Sequence, residues 1–136
     1  MLISSINELD KIVDLVVNEC KANVCLLLDG DLGAGKTTFS KVLLKRLGVQ
    51  ENVSSPTFVI MNQYQGENNL NINHMDAYRL TYEEEVDMYL DYFFEAFNIV
   101  EWSQNIDIDY EKYFKVIKIK ITIIDENSRN FEIKGV

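Results

Sequence analysis

With 136 residues, 47% hydrophobic and 26% charged, and with one proline and six glycines, the chain has the size and apolar content of one packed core and excludes disorder or a linker-rich architecture. Asp and Glu number 22 against 13 Lys and Arg, a formal net charge of -9, which argues against unaided binding to DNA or RNA because neutralising phosphates takes a basic surface. The first twenty residues have no basic leader segment and no run of about 18 apolar residues follows, so neither a secretory leader nor a membrane span is expected, and the cytoplasm is.

Ser5-Ile6-Asn7-Glu8 has capping-box spacing, and Ile6, Leu9, Ile12, Val13, Val16 and Val17 fall on one face behind it, which predicts a first helix over about residues 6–21. Residues 24–28 are apolar without a break, as in a strand covered on both faces of a parallel sheet. Cys20 and Cys25 stand at that junction, and with His74 remote in sequence they read as reduced packing residues rather than a disulfide or a zinc site. A glycine-rich turn leads into a second helix with Phe39, Val42, Leu43 and Leu47 at helical spacing and Gly48 placed to end it. Residues 58–64 and 70–75 read as two strands joined by a turn over 65–69, and their polar content suggests the edge of a sheet.

Thr81 with Glu84 makes a second capping box, heading a helix whose core residues are Val86, Leu90, Phe93 and Phe94, and residues 98–102 form another buried strand. Ile117, Ile119, Ile121 and Ile123 alternate with Lys118, Lys120 and Thr122, which predicts an exposed antiparallel strand with one wet face, turned back at 125–130 into a partner carrying Phe131 and Ile133. The order predicts a single domain over residues 1–136: an α/β P-loop fold with a central parallel sheet flanked by antiparallel strands and helices on both faces.

The P-loop expectation comes from Gly30-Asp31-Leu32-Gly33-Ala34-Gly35-Lys36-Thr37, a complete match to glycine, four residues, glycine, lysine, then serine or threonine, set between an apolar strand and an amphipathic helix. Glycines let main-chain N–H groups converge on phosphate oxygens, and the helix N-terminus adds about half a positive charge. Lys36 supplies a full mobile charge, Thr37 places a hydroxyl on Mg²⁺, and Thr38 bonds the phosphate nearest the helix.

A phosphate cradle does not by itself say what is done to the phosphate. Three arginines, Arg46, Arg79 and Arg129, are few for a kinase that clamps two phosphorylated substrates, and no Asn-Lys-x-Asp segment is present for guanine, which favours ATP. Asp76 follows one predicted strand and Glu101 lies at the end of another, and ligands gather outside the carboxyl ends of parallel strands. One of the two would hold Mg²⁺ and the other would orient or deprotonate the attacking water. Singly these residues have plainer readings: Asp76 a turn former, His74 a polar strand residue, Trp102 a core aromatic, and Ser55-Pro56-Thr57 a loop entering an edge strand. A small-molecule phosphotransferase and a nucleotide-gated binding module that never hydrolyses remain as alternatives, the second because γ-phosphate contacts can order a loop such as Ser55 to Thr57 without bond cleavage.

Taken in order, the P-loop through Thr38, then Ser55-Pro56-Thr57-Phe58, His74-x-Asp76-x-Tyr78-Arg79-Leu80 and Glu101-Trp102 closely resemble the TsaE (formerly YjeE) family over about residues 5–104. The resemblance implies an ATPase, weak alone, that joins TsaB and TsaD to support threonylcarbamoyladenosine (t6A) formation at adenosine 37 of ANN-decoding tRNAs, with tRNA met indirectly through the complex. It implies Thr37 and Glu101 as the magnesium pair, Lys36 and Asp76 beside the γ-phosphate, and Ser55, Pro56 and Thr57 as a switch-like loop. Trp102 would lie near the nucleotide, held by Asp31, Leu32, Gly33, Ala34, Gly35, Lys36, Thr37 and Thr38, with Ser5 approaching the base. The family usually reads Glu-Trp-Pro and then an acidic residue where this chain has Glu101-Trp102-Ser103-Gln104, and it carries a glycine where Tyr89 stands two residues before Asp91-Tyr92-Phe93.

Overall fold

In the computed structural model, which describes residues 1–51, 53, 61–80 and 87–136, the apolar run after the first helix becomes the middle strand of a seven-stranded sheet. In chain order the elements are β1 (Leu2–Ile3), α1 (Leu9–Val16), β2 (Val24–Asp29), α2 (Lys36–Arg46), β3 (Met61–Gln65), β4 (Asn71–Asp76), α3 (Asp87–Phe93), β5 (Phe97–Glu101), α4 (Tyr110–Tyr113), β6 (Lys115–Ile123) and β7 (Arg129–Lys134). The strands lie in the order β1-β7-β6-β2-β5-β4-β3, with β6, β2, β5 and β4 mutually parallel and the outer strands antiparallel to their neighbours.

Alternation of side chains along each strand divides the core in two. On one face Leu26, Leu28, Ile72, Phe97, Ile99, Ile117 and Ile119 pack under Ile12, Val13 and Val16 of α1 and Phe39, Leu43 and Leu44 of α2. On the other, Cys25, Met75 and Val100 meet Phe93 of α3 and the Ile106, Tyr110 and Phe114 segment around α4. Each fully buried large aliphatic side chain contributes about 1.5–3 kcal/mol. The second face also holds two buried amides. Asn73 Nδ2 donates to Asn98 Oδ1 at 2.8 Å and to the Tyr92 carbonyl at 2.8 Å, and Asn98 Nδ2 donates to the Phe93 carbonyl at 2.9 Å. These bonds satisfy the amides and tie the end of α3 to the sheet.

Several expectations are corrected. The isoleucine strand β6 is interior: it runs parallel to β2 on one side and antiparallel to β7 on the other. Its alternation reports one wet face, with Lys118, Lys120 and Thr122 exposed, which says nothing of the direction of its neighbours. Of the polar hairpin only β3 is an edge, since β4 pairs with β5 and buries Asn73 and His74 by bonding them internally. The first helix is one α segment between two 3-10 turns, Ile6–Glu8 and Val17–Glu19, and the Ser5 side chain makes no cap bond, so the Ser5–Glu8 capping box is not formed. The loop Ser55, Pro56, Thr57, residues 58–60 of the predicted strand and the capping box at Thr81 and Glu84 lie outside the described residues. Among the described residues no helix is long and apolar enough to cross a membrane.

Candidate nucleotide site

The chain leaves the carboxyl end of β2 at Asp29 and enters α2 at Lys36 through a turn that only glycine makes without strain. Gly33 stands at φ +81 and Gly35, the residue capping α2, at φ +106. The Ala34 N–H donates to the Asp31 carbonyl at 3.0 Å and closes the turn, while the first N–H groups of α2 are left without intrahelical partners, as at any helix start. Lys36 is 7% exposed, and its ammonium is satisfied on two sides: Nζ donates to the Gly30 carbonyl at 2.6 Å and lies 4.5 Å from the centre of the Trp102 ring.

Parallel pairing of β4 with β5 sets Asp76 directly opposite Glu101 at the carboxyl ends of both strands, β5 lying beside β2 and β4 next beyond it. Period two places His74, Asp76 and Glu101 on the face covered by α2, in line with Ile72 and Ile99 of the first core. Glu101 is 3% exposed and bonds His74 Nε2 through Oε2 at 2.6 Å. An ionised carboxylate only accepts, so the proton belongs on Nε2, leaving Nδ1 buried and without a partner among the described residues. Asp76 is half-buried and accepts the Tyr78 N–H at 3.0 Å, the turn-forming bond expected of it. Burial pushes the Asp76 carboxyl above its ordinary value. The Tyr78 N–H pulls it down, the Glu101 charge raises it, and the Lys36 charge lowers it.

On the other side of the loop a cleft of about 480 Å³ is lined by Ser4, Ser5, Gly33, Gly35, Thr38 and Arg129, among others. Ser5 thus lines a cleft that it shares with Gly33, Gly35 and Thr38 of the loop and helix start. Arg129 was not expected as a site residue. Its Nε donates to the Ala34 carbonyl at 3.1 Å and its Nη1 to the carbonyls of Asp125 at 2.7 Å and Ser128 at 3.0 Å, bracing the loop against the β6–β7 turn. Only its charge marked it in the sequence, because its partner Ala34 is 95 residues away. Asp31 and Leu32 form the exposed rim, and Thr37 is half-exposed in the first turn of α2. Trp102, at φ +56 immediately after β5, stands on the Lys36 side with its ring 5.0 Å from that of Tyr78, and it does not line the Ser5 cleft. Ser103 opens a 3-10 turn to Asn105, whose Nδ2 bonds the Ala77 carbonyl at 3.0 Å and ties the loop to the end of β4.

Strand, left-handed glycine loop, buried lysine and helix start, on a parallel sheet whose next strands end in carboxylates, define a nucleotide-binding P-loop protein of the α/β class. The sequence model described as threonylcarbamoyl adenosine biosynthesis protein TsaE matches residues 3–131. The chain belongs to the TsaE family, a P-loop ATPase family of tRNA processing. It is 38% identical over 130 residues to a tRNA threonylcarbamoyladenosine biosynthesis protein TsaE of Bacillus subtilis, covering 94% of this chain and 81% of that one. It is 37% identical over 118 residues to the protein so described in Nostoc, covering 82% and 70%. The crystal structure of Bacillus subtilis YdiB superposes with a TM-score of 0.72 at 29% identity, over 96% of this chain and 80% of that one.

Proposed function

We propose that this chain binds ATP with Mg²⁺ and hydrolyses it slowly, in complex with TsaB and TsaD, in support of t6A formation at adenosine 37 of tRNA. The observation that carries the reading is the nearness of Lys36, at the start of α2, to Asp76 and Glu101, which close the neighbouring parallel strands β4 and β5. The relatives described as t6A biosynthesis proteins support the pathway, and a net charge of -9 fits a chain that leaves the tRNA contact to partners.

Main-chain N–H groups over residues 31–37, Lys36 and Thr38 hold the phosphates, with the nucleoside directed along the Ser5 cleft. Among the described residues no three His, Cys, Asp or Glu cluster to hold a metal by themselves, which suits a nucleotide-borne Mg²⁺, since that ion takes one or two protein oxygens and fills the rest from phosphate and water. Thr37 and the Glu101 oxygen beside the one held by His74 are hard donors that fit. When bound, the ion neutralises charge on the terminal phosphates. Asp76, its basicity raised by burial, orients water for attack on the γ-phosphorus and takes its proton as the bond to the β-phosphate oxygen breaks and ADP leaves.

The test is Mg²⁺-dependent ATP turnover with TsaB and TsaD present, comparing wild type with Lys36→Ala and Glu101→Ala. Both variants are expected to lose turnover, and equal rates in all three would remove the mechanism. Phosphate delivered to a nucleoside or sugar instead of water would establish the phosphotransferase alternative, and intact ATP after long incubation with the full partner set would establish the non-hydrolysing module.

A further inference from the structure

The function above leaves the chemistry of His74 unused. It is fully buried on β4, and its imidazole spends one nitrogen on Glu101 at 2.6 Å while the other has no partner among the described residues. As a core filler it is a poor choice, because an apolar residue would fill the space without stranding a polar atom. A buried carboxylate, in turn, needs pairing, and Glu101 faces the like charge of Asp76 across the register.

We propose that His74 is the positioning residue for Glu101: its Nε2–H fixes Oε2 and so turns the second carboxylate oxygen toward the phosphate cradle, pre-setting it as a cation ligand. The inference rests on the reading of Glu101 as the Mg²⁺ ligand. A carboxylate with one oxygen pinned cannot rotate about its last bond, so the direction of its other oxygen is set before any cation arrives. Such outer partners orient a ligand without touching the ion.

The experiment reads Mn²⁺, in place of Mg²⁺, binding to the ADP-loaded full chain by electron paramagnetic resonance, alongside ADP affinity in excess EDTA. His74→Leu keeps bulk and removes the donor. His74→Gln puts an amide N–H where Nε2 was, and His74→Asn puts one at the Nδ1 position, out of reach of Glu101. Leu and Asn are expected to weaken Mn²⁺ binding by about 10–100-fold, with Gln close to wild type and ADP affinity without metal unchanged throughout. Should the Leu variant fail to fold, the Asn and Gln pair, equally polar, still decides. Wild-type Mn²⁺ affinity in the Asn variant, Gln no better than Asn, or an equal loss of metal-free ADP binding would overturn the proposal. Glu101→Gln separates the two levels. If it weakens Mn²⁺ while the His74 variants do not, the positioning role falls and the ligand reading stands. If it changes nothing, both fall.

Discussion

Replacing Gly35 by alanine tests whether the left-handed turn at the mouth of α2 is what makes the cradle. Gly35 sits at φ 106 and ψ 21, and a Cβ built there meets nothing within 4 Å, so the substitution introduces no clash and its whole effect is backbone strain. Holding an L residue in that region costs about 1–3 kcal/mol, offset by about 0.4–1 kcal/mol because alanine has less unfolded-state freedom to lose. The net destabilisation is about 1–2 kcal/mol, which for a chain of this size lowers Tm by about 3–8 °C. Alternatively the peptide turns over to escape the strain, and one N–H is lost to the phosphates. A charge-assisted bond of about 1.5–3 kcal/mol then disappears and ATP binds roughly 10- to 150-fold more weakly. Thermal melting and titration calorimetry on Gly35→Ala together catch either escape. A variant that melts with wild type and also binds ATP with wild-type affinity would refute the reasoning, since it would show that the left-handed turn is not required.

Asp76→Asn should stabilise the protein at neutral pH while abolishing hydrolysis. The folded carboxyl is raised by burial, so its contribution to stability is fully present in acid and is lost as pH rises through the folded value. The advantage of the asparagine should therefore fade as pH falls below about 4, and melting curves across pH showing the variant less stable at neutrality would contradict it. Arg129→Ala removes donors to the Ala34, Asp125 and Ser128 carbonyls and should cost about 1–2 kcal/mol in urea denaturation, only partly restored by Arg129→Lys, which lacks the planar fork. An unchanged midpoint would deny the brace. Cys20 and Cys25 are buried and their thiols are pushed up to about 12 by desolvation, so both should resist a thiol reagent at pH near 8 until the chain unfolds. Prompt labelling of native protein would count against that packing.

Features encoded locally or by period were legible in the sequence. The glycine loop is contiguous, and residues 24–28 of β2 show their burial as an unbroken apolar run. Asp76 and Glu101 could be assigned to strand ends because each lies where a predicted strand finishes. Pairings between distant segments were not legible. Nothing in the alternation of β6 tells whether β2 beside it runs parallel, and the polar look of β4 hides an interior strand because its amide and imidazole find partners on β5. The same limit hid the Glu101 bond of His74, 27 residues away, and the Arg129 brace on the cradle. Two-residue β1 pairs with β7 at the opposite end of the chain and carries too little pattern to predict. What holds the turn at Ser103 was likewise hidden, because its bond runs from Asn105 to Ala77, 28 residues away.

The most direct measurement is calorimetric titration of ATP into wild type, Lys36→Ala and Glu101→Gln, each with Mg²⁺ and with EDTA. A buried ammonium meeting phosphate near 4 Å is worth about 4 kcal/mol at an effective dielectric of 20, less what its present bonds to Gly30 and Trp102 already supply, so Lys36→Ala should lose roughly 30- to 1000-fold in both buffers. Glu101→Gln should bind metal-free ATP as wild type does and lose only the increment that Mg²⁺ adds. Undiminished ATP binding by Lys36→Ala, or a full Mg²⁺ increment in Glu101→Gln, would contradict the account at its centre.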